Sequence, residues 1–303
     1  MFAGFDTSNY TTSAAEITDE GAVHHKIMLT VKDGERGLRQ SDAVFQHTVN
    51  MPKLLDEMDF SALRAVGVSD RPRNVEGSYM PCFLVGVNTA TAVAKACGVP
   101  LYRTSHQVGH ILAALYSADR LDLVNDKFIA FHLSGGTTEA LLVTPDKNEI
   151  IKAEIIAQSL DLKAGQAIDR AGVMMGYRFP CGKMLDELAS QSDTEYKIKP
   201  SMKGADCSLS GVENKAKAML NKGESHADVS KFVLTYVTNT IDSMLGALIS
   251  ENGKLPVIFS GGVSSNSMLR ERMINKYGAS FAEPSFSLDN AAGTAIFAKM
   301  KAD

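Results

Sequence analysis

Two histidines four residues apart are the pair in this sequence best suited to metal chemistry. His106 and His110 stand in SHQVGH and open a stretch to Ala118 whose apolar residues recur at helical spacing. Side chains four apart share one helix face, and neutral imidazoles so placed can hold one Zn²⁺ or Fe ion. Two surface histidines that hydrogen-bond independently are the alternative for an isolated HxxxH pattern. Gln107 stands where zinc proteases carry a general-base glutamate, which argues against peptide hydrolysis by their mechanism.

Two Gly-Gly loops, each directly after an apolar strand-like run, could approach a phosphate or a ribose. The first is SGGTT at 134–138 and the second is GGVSSN at 261–266. Glycine allows close backbone approach, and the helix predicted after the second loop favours anions at its N-terminus. One such turn is a weak indication, since any strand–helix connection can hold one. The pattern matches neither the Walker motif nor GxGxxG, which disfavours P-loop and Rossmann sites.

Three aspartates beside small or turn-forming residues are further candidates. Asp6 ends the first apolar run and would suit a nucleotide-bound Mg²⁺ or an ordered water, because hard cations prefer carboxylate oxygen. An aspartate that only starts a turn is the alternative. Asp169 in GQAIDRAG and Asp289 in SLDNAAG have small neighbours that would admit a ligand, although each could instead cap a helix.

The opening segment repeats later in the chain. FAGFDTSNYTTSAA at 2–15 matches FIAFHLSGGTTEAL at 128–141 at six of fourteen positions. Each copy predicts a strand, a tight turn and a second strand, and strands alternate with helices in both halves, so a duplicated α/β unit with a cleft is expected. Chance similarity is the alternative. His132 takes the place of Asp6 in the second copy; taken alone, a satisfied buried histidine would be expected there.

Composition is that of an ordinary globular chain, with 303 residues, 45% hydrophobic and 22% charged. No apolar run approaches the roughly 20 residues of a membrane span, and the first residues lack a secretory signal pattern. The four cysteines show no paired spacing, which suits a reducing compartment. A net charge of −4 gives no general attraction to nucleic acid, so RNA binding would need a local basic patch or a partner protein. We therefore expect a cytoplasmic protein without a membrane or DNA partner.

Taken in order, the motifs resemble those of the tRNA threonylcarbamoyladenosine transferases, the former M22 glycoproteases or O-sialoglycoprotein endopeptidases. The matching segments span nearly the whole chain: GFDTS at 4–8, HQVGH at 106–110, SGGTT at 134–138, GQAIDR at 165–170, FPCG at 179–182, LSGVE at 209–213, GGVSSN at 261–266 and LDNAAG at 288–293. The resemblance implies duplicated RNase H-like lobes of the actin/sugar-kinase/Hsp70 ATPase superfamily with an interlobe cleft. Residues 1–124 would form the N-terminal lobe, with helix 290–303 packed on it, and 125–289 the C-terminal lobe.

The resemblance also implies the ligands and the residues that hold them. One divalent metal, Fe or Zn, would be bound by His106, His110 and Asp289; His132, where some relatives have a metal-approaching Tyr, is hypothesised as a fourth ligand. An adenine nucleotide (ATP, AMP or threonylcarbamoyl-adenylate), with or without Mg²⁺, would be the second cofactor. The candidate nucleotide- or substrate-binding residues are Asp6, Ser134, Gly135, Gly136, Thr137, Asp169, Gly182, Gly261, Gly262 and Asn266.

The implied activity is metal-dependent transfer of a threonylcarbamoyl group from its adenylate to the N6 amine of the tRNA adenosine beside the anticodon, with AMP leaving. The metal would polarise carbamoyl or carboxylate oxygens. No side chain is an evident nucleophile, so direct transfer is the simpler route. The implied partners are tRNA and other proteins of a threonylcarbamoylation assembly. Lys197, Lys199 and Lys203 could touch RNA phosphate or form a solvated loop.

Several positions depart from the family pattern. Gln166 stands for a glutamate, Cys181 for a glycine and Glu213 for a basic residue, and the usual GPG loop is absent from 71–81. These departures predict a divergent paralogue. They leave open a nucleotide- and metal-binding partner or regulator without catalysis, while an M22-type metalloendopeptidase is the least favoured alternative.

Overall fold

The computed structural model describes residues 1–8, 10–31, 38–287 and 290–303, and the chain divides into two compact units. Unit 1 comprises residues 1–124, 145–152 and 285–303, and unit 2 comprises 125–144 and 153–284. Each unit contains a five-stranded sheet with helices packed against it, so the α/β prediction is confirmed.

Strands and helices alternate along both halves. The strands are β1 (Phe2–Asp6), β2 (Thr11–Thr18), β3 (Gly21–Met28), β4 (Ala65–Arg71), β5 (Leu101–Ser105), β6 (Phe128–Leu133), β7 (Thr138–Asp146), β8 (Ile150–Gln158), β9 (Ser201–Lys203), β10 (Asp206–Ser208), β11 (Val257–Ser260) and β12 (Ser280–Phe281). The helices are α1 (Gln40–Leu55), α2 (Phe83–Cys97), α3 (His106–Ser117), α4 (Ala164–Met174), α5 (Gly182–Ala189), α6 (Ser210–Asn221), α7 (His226–Asn252), α8 (Ser267–Tyr277), α9 (Pro284–Ser287) and α10 (Ala292–Ala302).

The two large sheets have the same topology. Their strand orders are β3-β2-β1-β4-β5 in unit 1 and β8-β7-β6-β11-β12 in unit 2. In each, the repeated segment forms an antiparallel hairpin, and its first strand runs parallel to a strand from later in the unit. Asp6 and His132 occupy equivalent places near the ends of β1 and β6. The predicted duplication is therefore present in the topology as well as in the sequence.

Helix α10 completes the core of unit 1, where it packs on β1, β4 and α3. Two glycines make this close approach possible. A Cβ atom on Gly67 would overlap the carbonyl of Thr294, and one on Gly293 would overlap the backbone of Gly109. The first strand and the last helix of the chain thus share one core, and that core supports the elements that carry Asp6 and His106.

Helix α7 forms the centre of unit 2, where it packs against α4, α5, α6 and α8. By length and composition alone this 27-residue helix could cross a membrane, but 67% of its most apolar window is buried inside the fold. Such burial is typical of a helix in the core of a folded unit. The same core includes Phe131 and Phe259, which stack from β6 and β11 with ring centroids 4.8 Å apart.

Candidate metal and nucleotide sites

The two histidines of HQVGH converge at the start of α3. Ser105 caps this helix, because its hydroxyl accepts a hydrogen bond from the amide of Val108 at 3.2 Å. His106 and His110 then lie one turn apart on the same face, with Nε2 of one ring 2.9 Å from Nε2 of the other. The rings meet edge to face with centroids 4.3 Å apart. The predicted pairing on one helix face is therefore formed.

Asp6 holds the other side of the His106 ring. Its carboxylate is 1% exposed and accepts hydrogen bonds from Nδ1 of His106 at 2.8 Å, the Ser69 hydroxyl at 2.6 Å and the Ser8 amide at 2.9 Å. Burial opposes ionisation of Asp6, but attraction to His106 and these hydrogen bonds hold its pKa well below the usual range. With the Nδ1 proton facing the carboxylate, Nε2 of His106 is directed towards His110.

This donor arrangement fits a transition metal. Metal–nitrogen bonds of about 2.0–2.1 Å place neighbouring ligand nitrogens of one ion about 2.9–3.4 Å apart, and the two Nε2 atoms are already 2.9 Å apart. Buried carboxylates commonly orient metal-binding imidazoles in this way. Within the described ranges, no group of three or more His, Cys, Asp or Glu side chains is placed to hold a metal. Asp289, the predicted third ligand, lies outside the described residues.

In unit 2 both Gly-Gly loops leave the same edge of the sheet. Strands β6 and β11 are parallel neighbours in which His132 pairs with Ser260, so the loops that follow them begin side by side. The Ser260 hydroxyl lies 3.1 Å from Nδ1 of His132. This contact occupies the same place in unit 2 as the Asp6–Ser69 contact in unit 1. The hypothesis that His132 is a metal ligand stays a prediction.

The first Gly-Gly loop is a closed turn against the start of α4. The amide of Ser134 donates to the carbonyl of Thr137 at 2.7 Å, and the amide of Thr137 donates to the Ser134 hydroxyl at 3.1 Å. Gly165 packs so closely that a Cβ atom there would lie 2.7 Å from the amide nitrogen of Gly135. Gly135 and Gly136 are exposed, and a Cβ atom on either would meet nothing within 4 Å. The loop therefore exposes bare backbone at Gly135 and Gly136.

Asp169 ties α4 to the FPCG segment. Its carboxylate accepts a hydrogen bond from the amide of Cys181 at 2.7 Å, and Gly182 then opens α5 with an exposed, open face. The Cys181 side chain is fully buried and packs against Gly172. Burial raises the pKa of this thiol. The change from glycine to cysteine at 181 is thus accommodated in the core, away from the exposed surface of Gly182.

The second Gly-Gly loop requires its first glycine and leaves its second one open. Gly261 has φ 92° and ψ 158°, and a Cβ atom there would overlap the backbone of Leu133. Gly262 is exposed, and a Cβ atom would meet nothing within 4 Å. Asn266 caps α8 through the amide of Leu269 at 3.0 Å and donates to the carboxylate of Asp186 on α5 at 2.7 Å. Its observed role is to join the loop to its neighbours.

Two further residues belong to this arrangement. Asp186 was missed by sequence reasoning, because 80 residues separate it from the helix cap it supports and no local pattern marks the pair. The Glu213 carboxylate forms an exposed ion pair with Arg170, the residue after Asp169, at 2.8 Å. The reversed charge at 213 is therefore matched within unit 2.

Comparison with known proteins identifies the family. The family model described as TsaD, tRNA N6-adenosine threonylcarbamoyltransferase, matches residues 40–296. The chain belongs to this family. A tRNA N6-adenosine threonylcarbamoyltransferase of Ligilactobacillus salivarius is 31% identical over 243 residues, 75% of this chain and 66% of the relative. That of Neorickettsia sennetsu is 26% identical over 287 residues, 90% of this chain and 83% of the relative. The predicted family, transferase function and enzyme class are thus confirmed at family level.

Solved structures agree on the fold class. The (R)-2-hydroxyglutaryl-CoA dehydratase component A of Acidaminococcus fermentans has a TM-score of 0.57 at 14% identity and covers 99% of this chain and 98% of its own. A ROK family glucokinase from Streptomyces griseus, solved with glucose and AMPPNP, has a TM-score of 0.50 at 14% identity, with 99% and 98% covered. These likenesses confirm the predicted actin-like and sugar-kinase-like fold.

Proposed function

We propose that this chain carries out its family's reaction, the transfer of a threonylcarbamoyl group from threonylcarbamoyl-adenylate to the N6 amine of the tRNA adenosine beside the anticodon. The observation that carries the proposal is the Asp6–His106–His110 arrangement in unit 1, in which two imidazole nitrogens converge and a buried carboxylate fixes one of the rings. A surface pair of independent histidines would need no such support.

The metal proposed for unit 1 is a single Fe or Zn ion, held by His106, His110 and Asp289. When bound, such an ion supplies a Lewis acid for carbonyl or carboxylate oxygens. Asp6 keeps the Nδ1 proton of His106 in place, so that the lone pair of Nε2 remains available. The proposed contact of Asp6 with a nucleotide-bound Mg²⁺ would compete with this role, because its two carboxylate oxygens already accept hydrogen bonds from His106, Ser69 and Ser8.

The adenine nucleotide is proposed to bind unit 2 at the shared edge of β6 and β11. Four glycines there have open faces and form the bare backbone that a phosphate or a ribose can approach: Gly135, Gly136, Gly182 and Gly262. The starts of α4 and α5 adjoin these glycines, and helix N-termini favour anionic groups. Ser134, Thr137, Asp169, Gly261 and Asn266 would then shape the site through the hydrogen bonds described above.

The attacking group is the exocyclic amine of adenosine, which must lose a proton as the new N–C bond forms and the phosphate oxygen of AMP leaves. We propose tRNA as the acceptor, other proteins of a threonylcarbamoylation assembly as partners, and the cytoplasm as the location. Gln107 does not support the alternative of a metalloendopeptidase, because its side-chain amide cannot serve as a general base.

The decisive experiment is mass spectrometry of nucleosides after the protein, with its assembly partners, is mixed with unmodified tRNA and threonylcarbamoyl-adenylate. Threonylcarbamoylated adenosine is expected with the unaltered chain and its near-complete loss with His110→Ala. His226→Ala, which removes a histidine at the start of α7, is the matched control and should retain activity. Absence of product with partners and metal supplied would overturn the proposal in favour of the non-catalytic partner.

A further inference from the structure

An extended segment of unit 2, residues 196–203, carries lysines on one face. Its partly buried and its exposed side chains occupy alternate positions over most of its length: Tyr196, Ile198 and Met202 are partly buried, and Lys197, Lys199 and Lys203 are exposed. The Tyr196 ring packs edge-on against Phe232 of α7, with centroids 5.4 Å apart. Alternation with one face covered is the geometry of an extended chain, so the lysines point away from the core.

Beside this segment, α7 and α8 enclose a groove of about 450 Å³. Its cations are Lys231 from α7 and Arg272 and Lys276 from α8. The groove and the segment are joined directly, because the Asn239 side chain, which lines the groove, donates a hydrogen bond to the carbonyl of Ile198 at 3.1 Å. The exposed lysines and the groove cations therefore belong to one surface, which we call the basic surface.

Two of the groove cations are held in fixed positions. Asp242 accepts hydrogen bonds from Lys276 at 2.7 Å and from Arg272 at 3.3 Å. Lys231 forms no ion pair with any residue in the described ranges. Glu271 also lines the groove and opposes an anionic ligand. With the three lysines of the segment, the basic surface carries six cations. The carboxylates beside them are Asp242, Glu271 and Asp206, which pairs with Lys203 between β10 and β9. The basic surface is thus net positive, whereas the whole chain has a net charge of −4.

A buried hydroxyl group adds an independent indication of a ligand. Thr238 lines the groove and is 2% exposed, and its Oγ1 has no hydrogen-bond partner within the described part of the chain. Threonines inside helices usually satisfy this hydroxyl through the carbonyl four residues earlier, as Thr240 does at 2.8 Å. Thr238 thus retains an unpartnered hydroxyl beside a groove whose rim is cationic.

We propose that the basic surface binds the phosphodiester backbone of the tRNA substrate. This inference rests on the proposed function for the identity of the RNA. Lys197 and Lys199 are two residues apart on an extended chain, about 6.6 Å, and so form a row that suits a regularly spaced polyanion. Contacts of this kind position an RNA without selecting its sequence. Because the whole chain has an acidic net charge, RNA binding requires a local patch of positive charge, and the basic surface would supply it.

The test is the salt dependence of binding to labelled, unmodified tRNA, followed by fluorescence anisotropy with the full chain. The slope of log K against log salt is negative, and each phosphate contact removed reduces its magnitude by about 1. Lys197→Ala/Lys199→Ala should therefore reduce the magnitude by about 2. When salt is raised from about 50 to about 200 mM, the factor by which the unaltered chain loses tRNA affinity should be about tenfold larger than the factor for the variant. Lys231→Ala should lower the slope by about 1, and Glu271→Gln should strengthen binding.

The matched control is Lys127→Ala/Lys254→Ala. These lysines are also exposed in unit 2, but they lie beyond the far end of α7, about 30 Å along the helix from Lys231. Three results would each overturn the proposal. The first is an unchanged salt slope in Lys197→Ala/Lys199→Ala, and the second is an equal reduction of the slope in the control. The third is that Lys197→Ala/Lys199→Ala binds tRNA as before but no longer binds an acidic protein partner. Lysine-dependent tRNA binding without nucleoside modification would instead support the surface and contradict the proposed function.

Discussion

At the scale of single residues, Asp6 is placed to support the proposed metal site without touching the metal. Its carboxylate accepts a hydrogen bond from Nδ1 of His106, on the side of the ring opposite the Nε2 atom that faces His110. We predict that Asp6→Asn weakens Zn²⁺ binding by about 10–100-fold, because the neutral amide orients and polarises the imidazole less strongly. The measurement is a competition titration against a chromogenic chelator.

A suitable control for Asp6 is Ser69→Ala, which removes one of its hydrogen bonds but leaves the charge beside His106. This variant should bind Zn²⁺ more tightly than Asp6→Asn. Equal affinity of Asp6→Asn and the unaltered chain would show that the carboxylate has no part in metal binding. Circular dichroism of each variant separates loss of the site from loss of the fold.

The second residue-scale prediction concerns the glycines of unit 2. Gly136→Val and Gly262→Ala introduce side chains into open space, so they should leave the free energy of unfolding almost unchanged while blocking a nucleotide. Gly261→Ala should instead destabilise the chain by about 1–3 kcal/mol, because its backbone conformation suits only glycine. Urea unfolding and calorimetric titration with AMP make the comparison. Unimpaired AMP binding in both open-face variants would contradict the proposed nucleotide site.

At the scale of elements, α1 is joined to β2 by a buried histidine that must stay neutral. His47 is fully buried, and its Nδ1 lies 2.8 Å from the Thr12 hydroxyl. Burial lowers the pKa of His47 to about 4 from 6.5, although Asp6 acts in the opposite direction. The unfolded chain therefore binds more protons than the folded one between these two values, and stability falls as pH falls through this window.

We predict that lowering the pH from 7 to 5 reduces the free energy of unfolding by about 1–2 kcal/mol through His47. His47→Gln keeps a polar group for Thr12 but does not titrate, so it should flatten this part of the pH profile in urea unfolding. His24→Gln is the comparison, since burial also lowers the pKa of His24. A profile unchanged by His47→Gln would refute the assignment.

Sequence periodicity located helices well because each has an apolar face that packs on a core and a polar face towards solvent. The helix predicted over His106–Ala118 begins at His106 and ends at Ser117. Contacts made across the fold were not accessible in the same way. Ser69 and Asp186 carry no local pattern, and their roles depend on which strands and helices become neighbours.

At the scale of the whole molecule, duplication was visible in the sequence and its chemical divergence became clear only in the structure. The equivalent positions of Asp6 and His132 each contact a serine on the adjoining parallel strand, Ser69 in one unit and Ser260 in the other. The scaffold of the contact is thus repeated while the group it positions has changed from a carboxylate to an imidazole. The sequence predicted the exchange but could not reveal the shared serine partner.

The packing of α10 on β1 and α3 also sets an order for biosynthesis. Unit 2 is assembled from residues 125–144 and 153–284, all of which precede the last helix in the chain. Unit 1 lacks part of its interior until residues 292–302 have left the ribosome, even though it contains the first strand of the chain. We therefore expect unit 1 to complete its core no earlier than unit 2, although domains usually fold from the N-terminal one onwards. A metal bound through His106 and His110 would then be acquired only after α10 has packed on α3, the helix that carries both histidines.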